Sequence, residues 1–168
     1  MYYVGSPEGY SSTFWFKTLP TKLWKSKIAI IGDLGAQNAI SLPYLEQKIH
    51  ENQLDLVIHA GDFAYDLRDD SGFQGDRFMT EIEPVAAYVP YMTCPGNHEH
   101  PNQYNEYRHR FMMPYSNPDP LDLYYSFNVG PIHFVSLNVE VYYKHGGNFK
   151  LLETMYQWFI SDLEQANK

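Results

Sequence analysis

The sequence contains one cysteine, Cys94, and no long apolar run. A single thiol excludes a disulfide within the chain. A membrane-spanning helix needs about 18 or more consecutive apolar residues, and the chain has no such run. Its first residues, MYYVGSPEGYSS, include neither the basic nor the apolar segment of a signal peptide. We therefore expect no membrane span and no signal peptide within this chain.

Positive charge is also scarce, with 12 Lys and Arg residues against 20 Asp and Glu residues and a formal net charge of −8. An acidic protein repels nucleic-acid backbones and anionic membranes, so we expect neither as the main partner. Phosphate binding remains open wherever a metal ion reverses the local potential. With 168 residues, the chain is long enough for one domain with a sizeable core.

Two short apolar runs, Ile28–Ile31 and Leu56–Ala60, are each followed by Gly-Asp. Unbroken runs rich in β-branched residues are typical of strands buried on both faces. They predict strands over 28–32 and 55–60, and the spacing of apolar residues predicts a helix over 41–52 between them. This strand–helix–strand unit favours a parallel sheet.

The remaining segments complete an α/β pattern, which is the fold class that the sequence predicts. Ser41 is the expected N-cap of the first helix, and Pro84 predicts a kink or a break in a later one. A third apolar run, Tyr88–Thr93, predicts another strand. Further predicted elements are a hairpin within 2–18, a linker over 19–27, loops over 66–76 and 115–123, a helix over 102–112, a hairpin of Tyr124–Asn128 with Ile132–Asn138, and a helix over about 151–166.

Polar side chains follow three of the predicted strands, namely Asp33, then Asp62 with Tyr65, then Asn97 with His98. The carboxyl ends of strands in an open α/β sheet border the ligand crevice, so we expect these residues to be neighbours. Carboxylate and phenolate oxygens suit trivalent iron, whereas carboxylate, amide and imidazole groups suit a divalent ion. Asp62, central in sequence, is the natural bridge between two ions about 3.5–4 Å apart.

Simpler interpretations stay open for single residues. Gly-Asp after a strand usually forms a turn, and Tyr65 is one of 15 tyrosines, any of which could pack in a core. His59 and His133 lie in apolar strands, which favours packed, hydrogen-bonded histidines, and Cys94 is expected to be a small buried apolar residue. The acids of Asp66–Asp70 are expected in a solvated loop beside the site. Three histidines are expected in solvent: His100, His109 and His145.

Three motifs, GDLG (32–35), GDFAY (61–65) and GNHE (96–99), resemble the first three of five motifs of the calcineurin-like metallophosphoesterases. The tyrosine of the second motif narrows the resemblance to the purple acid phosphatases, in particular the animal iron/zinc members. The resemblance implies a partial metallophosphoesterase sandwich, with mixed sheets flanked by helices, over 28–168. It also implies that residues 1–18 end an N-terminal, fibronectin-like β-sandwich domain, leaving a short β stub here, and that 19–27 form a linker.

The resemblance also implies a metal-ligand set. Asp33 and Tyr65 would bind a ferric ion, and Asp62 would bridge it to a divalent ion, which could be zinc, iron or manganese. Asn97 would bind that second ion through its amide oxygen. The family's remaining histidine ligands belong to its fourth and fifth motifs, which do not occur in this sequence. We therefore expect the chain alone to bind metals weakly and to have little or no phosphatase activity.

Two further residues receive roles through the resemblance. His98 would contact the substrate phosphate and help to protonate the leaving group, and Glu99 would orient its neighbours. The implied reaction is hydrolysis of a phosphomonoester at acidic pH, in a secreted or lysosomal protein. Two alternatives remain, namely another metallophosphoesterase, such as a nucleotidase or phosphodiesterase, and an inactive truncated remnant that binds metal or a partner.

Overall fold

The computed structural model describes residues 1–20, 24–114, 123–144 and 149–167. It has the predicted α/β composition. The strands are β1 (Gly5–Ser6), β2 (Gly9–Tyr10), β3 (Ile28–Ile31), β4 (Leu56–Ala60), β5 (Tyr91–Cys94), β6 (Tyr125–Val129) and β7 (Ile132–Ser136). The α-helices are α1 (Leu42–His50), α2 (Phe73–Ala86), α3 (Pro101–Arg110), α4 (Val141–Lys144) and α5 (Phe149–Ala166).

A three-stranded parallel sheet in the order β3-β4-β5 carries the three sequence motifs at its carboxyl edge. One face of this sheet packs against helices, where Val57 of β4 contacts a cluster with Leu45 and Ile49 of α1 and Val85 of α2. The antiparallel hairpin β6–β7 lies on the other side, and its Tyr125 hydroxyl donates to the Thr93 carbonyl at 2.7 Å. The continuous apolar runs place apolar side chains on both faces of the sheet, but the second face is covered only in part, since Ile30 of β3 is 70% exposed.

The larger core cluster lies directly behind the second motif. Phe63, the residue after Asp62, is fully buried, and its ring stacks on Phe111 with a centroid distance of 4.8 Å. The rings of Phe78 and Tyr107 pack against it from α2 and α3. This packing fixes the backbone that follows β4, because buried aromatic side chains contribute large contact areas.

The predicted elements occur with a few differences. α2 begins at Phe73, inside the predicted loop 66–76, and passes through Pro84 as one helix rather than two. Pro84 has no backbone N–H to donate to the carbonyl of Thr80, so the helix lacks one hydrogen bond there, and it ends two residues later, at Ala86. Ser41 precedes α1 as predicted, but its side chain makes no capping hydrogen bond. α4 was not predicted, and most of the predicted loop 115–123 lies outside the described residues.

The predicted N-terminal hairpin is present, with Gly5 paired to Tyr10 and Tyr2 bridged to Phe14. It contacts the end of α2, where the Tyr2 hydroxyl donates to the carbonyl of Ala87 at 2.7 Å. The Phe14 ring packs edge-on against Tyr88. The hairpin therefore rests on the α/β domain, while its assignment to a preceding β-sandwich stays a prediction.

The histidines divide between core and surface. His59 is buried and its Nδ1 lies 2.7 Å from the Tyr91 hydroxyl, which confirms the prediction of a packed, hydrogen-bonded residue. His109 is exposed as expected, but His100 is half-buried against the Tyr104 ring, so the expectation of a solvated His100 is wrong. Tyr104 is itself fully buried, so a side chain that packs on its ring is shielded from solvent as well. His145 lies outside the described residues. Cys94 is half-buried.

None of the helices in the described ranges is long and apolar enough to cross a membrane.

We predict that His59 makes folding sensitive to acid. Burial lowers the pKa of His59 to about 4, whereas the pKa of a histidine in an unfolded chain is about 6.5. The folded state therefore binds fewer protons between these values, and stability is lost as the pH falls from about 6.5 towards 4. Urea denaturation should show the chain losing about 2 kcal/mol of unfolding free energy between pH 7 and pH 5 from this residue.

His59→Gln should remove most of that loss, although it lowers stability at neutral pH. His109→Gln, which changes an exposed histidine, is the matched control and should keep the full loss. An unchanged pH dependence in His59→Gln would show that His59 is not the acid-sensitive group.

Candidate metal centre

The three motifs meet at the carboxyl edge of the parallel sheet. The backbone N–H of Asp33 donates to the carbonyl of Gly61 at 3.2 Å, which joins the first motif to the second. Gly61 and Gly96 touch through their backbones, since a Cβ on Gly61 would lie 2.7 Å from the Gly96 Cα. Gly61 also has a φ of +74°, which favours glycine. The glycines of the second and third motifs thus allow two loops to approach more closely than side chains would permit.

Asp33 and Tyr65 are brought together as the sequence predicted. The Tyr65 hydroxyl donates to Asp33 Oδ1 at 2.9 Å, across 32 residues of sequence. This hydrogen bond raises the pKa of the Tyr65 phenol, because it favours the protonated form. Tyr65 is 42% exposed, so its hydroxyl is accessible to an incoming ion. Packing in a core, the simpler interpretation of Tyr65, is therefore wrong.

Three of the candidate ligands have a left-handed backbone. The φ angles are +52° at Asp33, +54° at Asp62 and +53° at Tyr65. This conformation costs about 1–2 kcal/mol per residue for side chains other than glycine. Aspartate tolerates it better than most residues, but tyrosine does not. The surrounding structure has to enforce this conformation here, as it also does away from the site at Asn52 and from Asn102 to Tyr104.

Glu99 joins the second and third motifs through the backbone. Its carboxylate accepts the N–H groups of Asp62 at 2.8 Å, Phe63 at 3.0 Å and Gly96 at 2.8 Å. The residue is 3% exposed, and burial raises the pKa of its carboxyl group while the three hydrogen bonds act in the opposite direction. Glu99 therefore holds neighbouring backbone groups in place and does not face the cleft. This is the kind of role that the family resemblance implies for Glu99.

His98, in the third motif, contacts the second motif and the residue that follows it. Its backbone N–H donates to Asp62 Oδ1 at 3.1 Å, and its ring packs edge-on against Tyr65 with a centroid distance of 4.9 Å. Its Nδ1 lies 3.5 Å from a carboxylate oxygen of Asp66. Asn97, next to it, is exposed at the same edge. Sequence reasoning placed Asp66 in a solvated loop beside the site and missed its contact with His98. The left-handed turn at Asp66 leaves no signal in the sequence.

A metal ion at this edge would have to be held in part by groups other than histidine, cysteine and carboxylate side chains. Within the described ranges, no three His, Cys, Asp or Glu side chains converge closely enough to hold an ion by themselves. Two oxygen ligands about 2.1 Å from one ion, at right angles, lie about 3 Å apart. The 2.9 Å between Asp33 Oδ1 and the Tyr65 hydroxyl matches that spacing. These two groups therefore fit a single hard cation.

An open cleft of about 500 Å³ borders this pair. Asp33 and Tyr65 form one wall, and the amide side chains of Gln37, Asn38 and Gln74 are among its other lining groups. Gln74 is anchored because its side chain donates to the carbonyl of Ala64 at 3.1 Å. The cleft leaves room for a ligand beside the candidate metal ligands.

Comparison with known proteins identifies the family of the chain. The family model of the calcineurin-like phosphoesterases matches residues 26–168. The chain belongs to the calcineurin-like phosphoesterase family. It is 43% identical to human acid phosphatase type 7 and 44% identical to the zebrafish (Danio rerio) protein of that name, over its whole length in both cases. It spans 38% of the length of each of these relatives.

The fold agrees with a solved structure of this family. The chain matches purple acid phosphatase PPD1 from yellow lupin with a TM-score of 0.64 and 24% identity, over 87% of this chain and 30% of that one. The resemblance to purple acid phosphatases and the predicted partial metallophosphoesterase fold are both confirmed.

We predict that Glu99→Gln loosens the second and third motifs. A glutamine presents one acceptor oxygen and an NH₂ group, so at least one of the three backbone N–H groups would lose its partner. An unsatisfied buried donor costs about 1–3 kcal/mol, which urea denaturation would detect. Amide hydrogen exchange should also speed up at Asp62, Phe63 and Gly96.

Glu81→Gln is a matched control for this substitution. Glu81 also accepts a backbone N–H, that of Gln37, but its side chain is 28% exposed. Solvent can replace its contact, so the change in unfolding free energy should stay within about 0.5 kcal/mol. Equal effects of the two substitutions would contradict the role assigned to Glu99.

Proposed function

We propose that this chain forms part of the active centre of an acid phosphatase that hydrolyses phosphomonoesters with a ferric ion and a divalent ion. The contact between the Tyr65 hydroxyl and Asp33 is the observation that carries the proposal. A phenol held against a carboxylate at the edge of a parallel sheet supplies two hard oxygen donors for trivalent iron. Similarity to proteins named acid phosphatase type 7 supports the same activity.

The proposed ligand set follows the order of the strands. Asp33 and Tyr65 would hold the ferric ion, Asp62 would serve as a ligand to both ions, and Asn97 would contribute its amide oxygen to the divalent ion, which would be zinc, iron or manganese. When bound, the ions supply a nucleophile at low pH and neutralise charge that develops on the phosphoryl oxygens. Before any ion binds, the Tyr65 hydroxyl is held against Asp33 Oδ1, and Asp62 Oδ1 accepts the backbone N–H of His98.

His98 is the proposed catalytic residue. Its backbone bond to Asp62 and the edge of the Tyr65 ring hold the imidazole beside the candidate ligands. From there it contacts the substrate phosphate and gives a proton to the leaving oxygen, which is ordinary general acid catalysis by histidine. Glu99 keeps the loop that carries His98 in register with the loop that carries Asp62.

The remaining assignments rest on the resemblance. We propose that residues 1–18 belong to the end of a fibronectin-like β-sandwich domain, that 19–27 are a linker, and that the protein is secreted or lysosomal. Contact between the N-terminal hairpin and the end of α2 supports a fixed arrangement of these parts.

A chimera tests the proposed activity. The chain would replace the matching segment of human acid phosphatase type 7, to which it aligns over its whole length. Metal content, visible absorption and hydrolysis of 4-nitrophenyl phosphate at about pH 5 would be measured for the chimera and for the chain alone. We expect the chimera to bind two metal ions and to hydrolyse the substrate. We expect weaker metal binding in the chain alone, because it supplies only four proposed ligands, Asp33, Asp62, Tyr65 and Asn97.

We predict distinct effects for two ligand substitutions in that chimera. Asp62→Asn should reduce kcat/KM by more than about a hundredfold, because loss of residues that merely support metal ligands already costs about 10–100-fold. Tyr65→Phe should abolish visible absorption from tyrosinate-to-iron charge transfer. Asp69→Asn, a change at an exposed acid of the neighbouring loop, is the control and should alter neither property. An active Asp62→Asn variant or a coloured Tyr65→Phe variant would refute the ligand assignment.

A further inference from the structure

A cavity of about 180 Å³ lies at the end of the parallel sheet opposite to the candidate metal centre. Two of its lining residues, Lys27 and Asp55, directly precede β3 and β4, and a third, Val89, lies two residues before β5. In a parallel sheet the residues before the strands meet at the amino edge, whereas the three motifs follow the strands at the carboxyl edge. The cavity is therefore a separate feature of the fold, and the proposed function does not use it.

Three aromatic side chains line the cavity. They are Trp15, Trp24 and Tyr88, so two of the three tryptophans of the chain are found here. The Trp15 ring packs edge-on against the Tyr88 ring, with a centroid distance of 5.4 Å. Such rings offer faces and edges against which a planar aromatic ligand can pack.

Trp24 is held from two sides. Its indole N–H donates to Asp55 Oδ2 at 3.4 Å, and its ring lies against Gly130 in the turn of the hairpin β6–β7, where a Cβ would come within 3.0 Å of the ring. Asp55 is fixed as well, because the backbone N–H of Lys27 donates to the same oxygen at 2.8 Å and the backbone N–H of Asp55 donates to the Lys27 carbonyl at 2.8 Å. This wall of the cavity is therefore in place without a ligand, which lowers the cost of ordering side chains on binding.

Lysines supply positive charge at this cavity. Lys17, Lys25 and Lys27 are among its lining residues, and each is exposed. None of the three belongs to an ion pair recorded for the described residues. Asp55 is the one carboxylate among the described lining residues, and its Oδ2 already accepts two N–H groups. Positive charge thus exceeds negative charge in this lining, although the formal net charge of the chain is −8.

Aromatic walls beside unpaired lysines favour one class of small molecule. An apolar cavity of about 150 Å³ accommodates benzene. The cavity of about 180 Å³ therefore has room for one aromatic ring with a small substituent. Lysine ammonium groups near the ring favour negative charge on that substituent, because a hydrogen bond between two charged groups is stronger than a neutral one. A cationic ligand would be repelled, and an uncharged ring would gain nothing from the lysines.

We propose that this cavity binds a small aromatic anion, namely a single aromatic ring that bears a carboxylate or a phosphate group. The ring packs on the indoles of Trp15 and Trp24, and the acid group faces the lysines. The site is independent of phosphatase activity and requires no metal ion, because it lies at the opposite edge of the sheet from the candidate ligands.

Titration of the whole chain, followed by NMR of the indole N–H groups, tests the proposal. The probes are phenylphosphonate and benzoate, with EDTA present to exclude binding through a metal ion. We expect the Trp15 and Trp24 signals to shift with dissociation constants of about 1 mM or lower, while the signal of Trp158 on α5 stays unchanged. Inorganic phosphate, which lacks the ring, and phenol, which lacks the charge, should each bind about fivefold or more weakly.

The relative affinity of the two probes identifies the acid group. Tighter binding of phenylphosphonate would assign the site to aryl phosphates, and tighter binding of benzoate would assign it to aryl carboxylates. Either result supports an aromatic anion as the ligand.

The double variant Lys25→Gln, Lys27→Gln should weaken the affinity for both probes about fivefold, because two positive charges are lost. Both side chains are exposed, so we expect the variant to fold. Lys48→Gln is the matched control, since Lys48 is exposed too but lies on α1 beside Glu51 at 3.3 Å and outside the lining. It should change the affinity less than about twofold.

If the double variant does not fold, the salt dependence of the unmodified chain replaces it. Raising the ionic strength from about 0.05 M to about 0.5 M should weaken the binding of both probes, because it screens the exposed lysines, and leave that of phenol unchanged. The proposal is overturned by unchanged Trp15 and Trp24 signals at about 10 mM probe. Equal affinity for inorganic phosphate or phenol, or binding that neither lysine substitution nor salt weakens, would also overturn it.

Discussion

The buried carboxylate of Glu99 is the interaction on which the geometry of the candidate site depends. It accepts three backbone N–H groups from two loops that are more than thirty residues apart in sequence. Burial of a carboxylate is unfavourable unless such donors surround it. The arrangement therefore requires both loops to be present and aligned, and each loop carries proposed functional residues, Asp62 and Tyr65 on one and Asn97 and His98 on the other.

The aromatic core supports this arrangement from behind. Phe63 follows Asp62 directly, and its stacking on Phe111 ties the second motif to the end of α3. The left-handed conformations at Asp33 and Asp62 are supported by backbone hydrogen bonds, from Asp33 to the Gly61 carbonyl and from Asp62 to Glu99, and Tyr65 is tied to Asp33 through its hydroxyl. The stability of the fold and the placement of the candidate ligands are thus coupled, since the residues that bury Phe63 also determine the position of the neighbouring Asp62.

Much of the fold could be predicted from sequence because the signals were local. Apolar runs predicted the three parallel strands, although the third begins at Tyr91 rather than at the predicted Tyr88, and apolar spacing predicted α1 and α5. The meeting of Asp33 with Tyr65 followed from the rule that ligands bind at the carboxyl edge of such sheets. The left-handed turn that brings Asp66 to His98, and the early start of α2 at Phe73, depend on tertiary packing, which local patterns do not encode.

The contact between Gly61 and Gly96 gives the site a fixed internal dimension. Two backbones in direct contact are separated by the covalent and van der Waals size of the peptide itself, not by the rotamers of intervening side chains. The distance between the second and third motifs is therefore insensitive to substitutions in the surrounding core. Substitutions in the helices would displace both motifs together as one rigid unit. The separation between the motifs would change only if one of the two glycines were replaced.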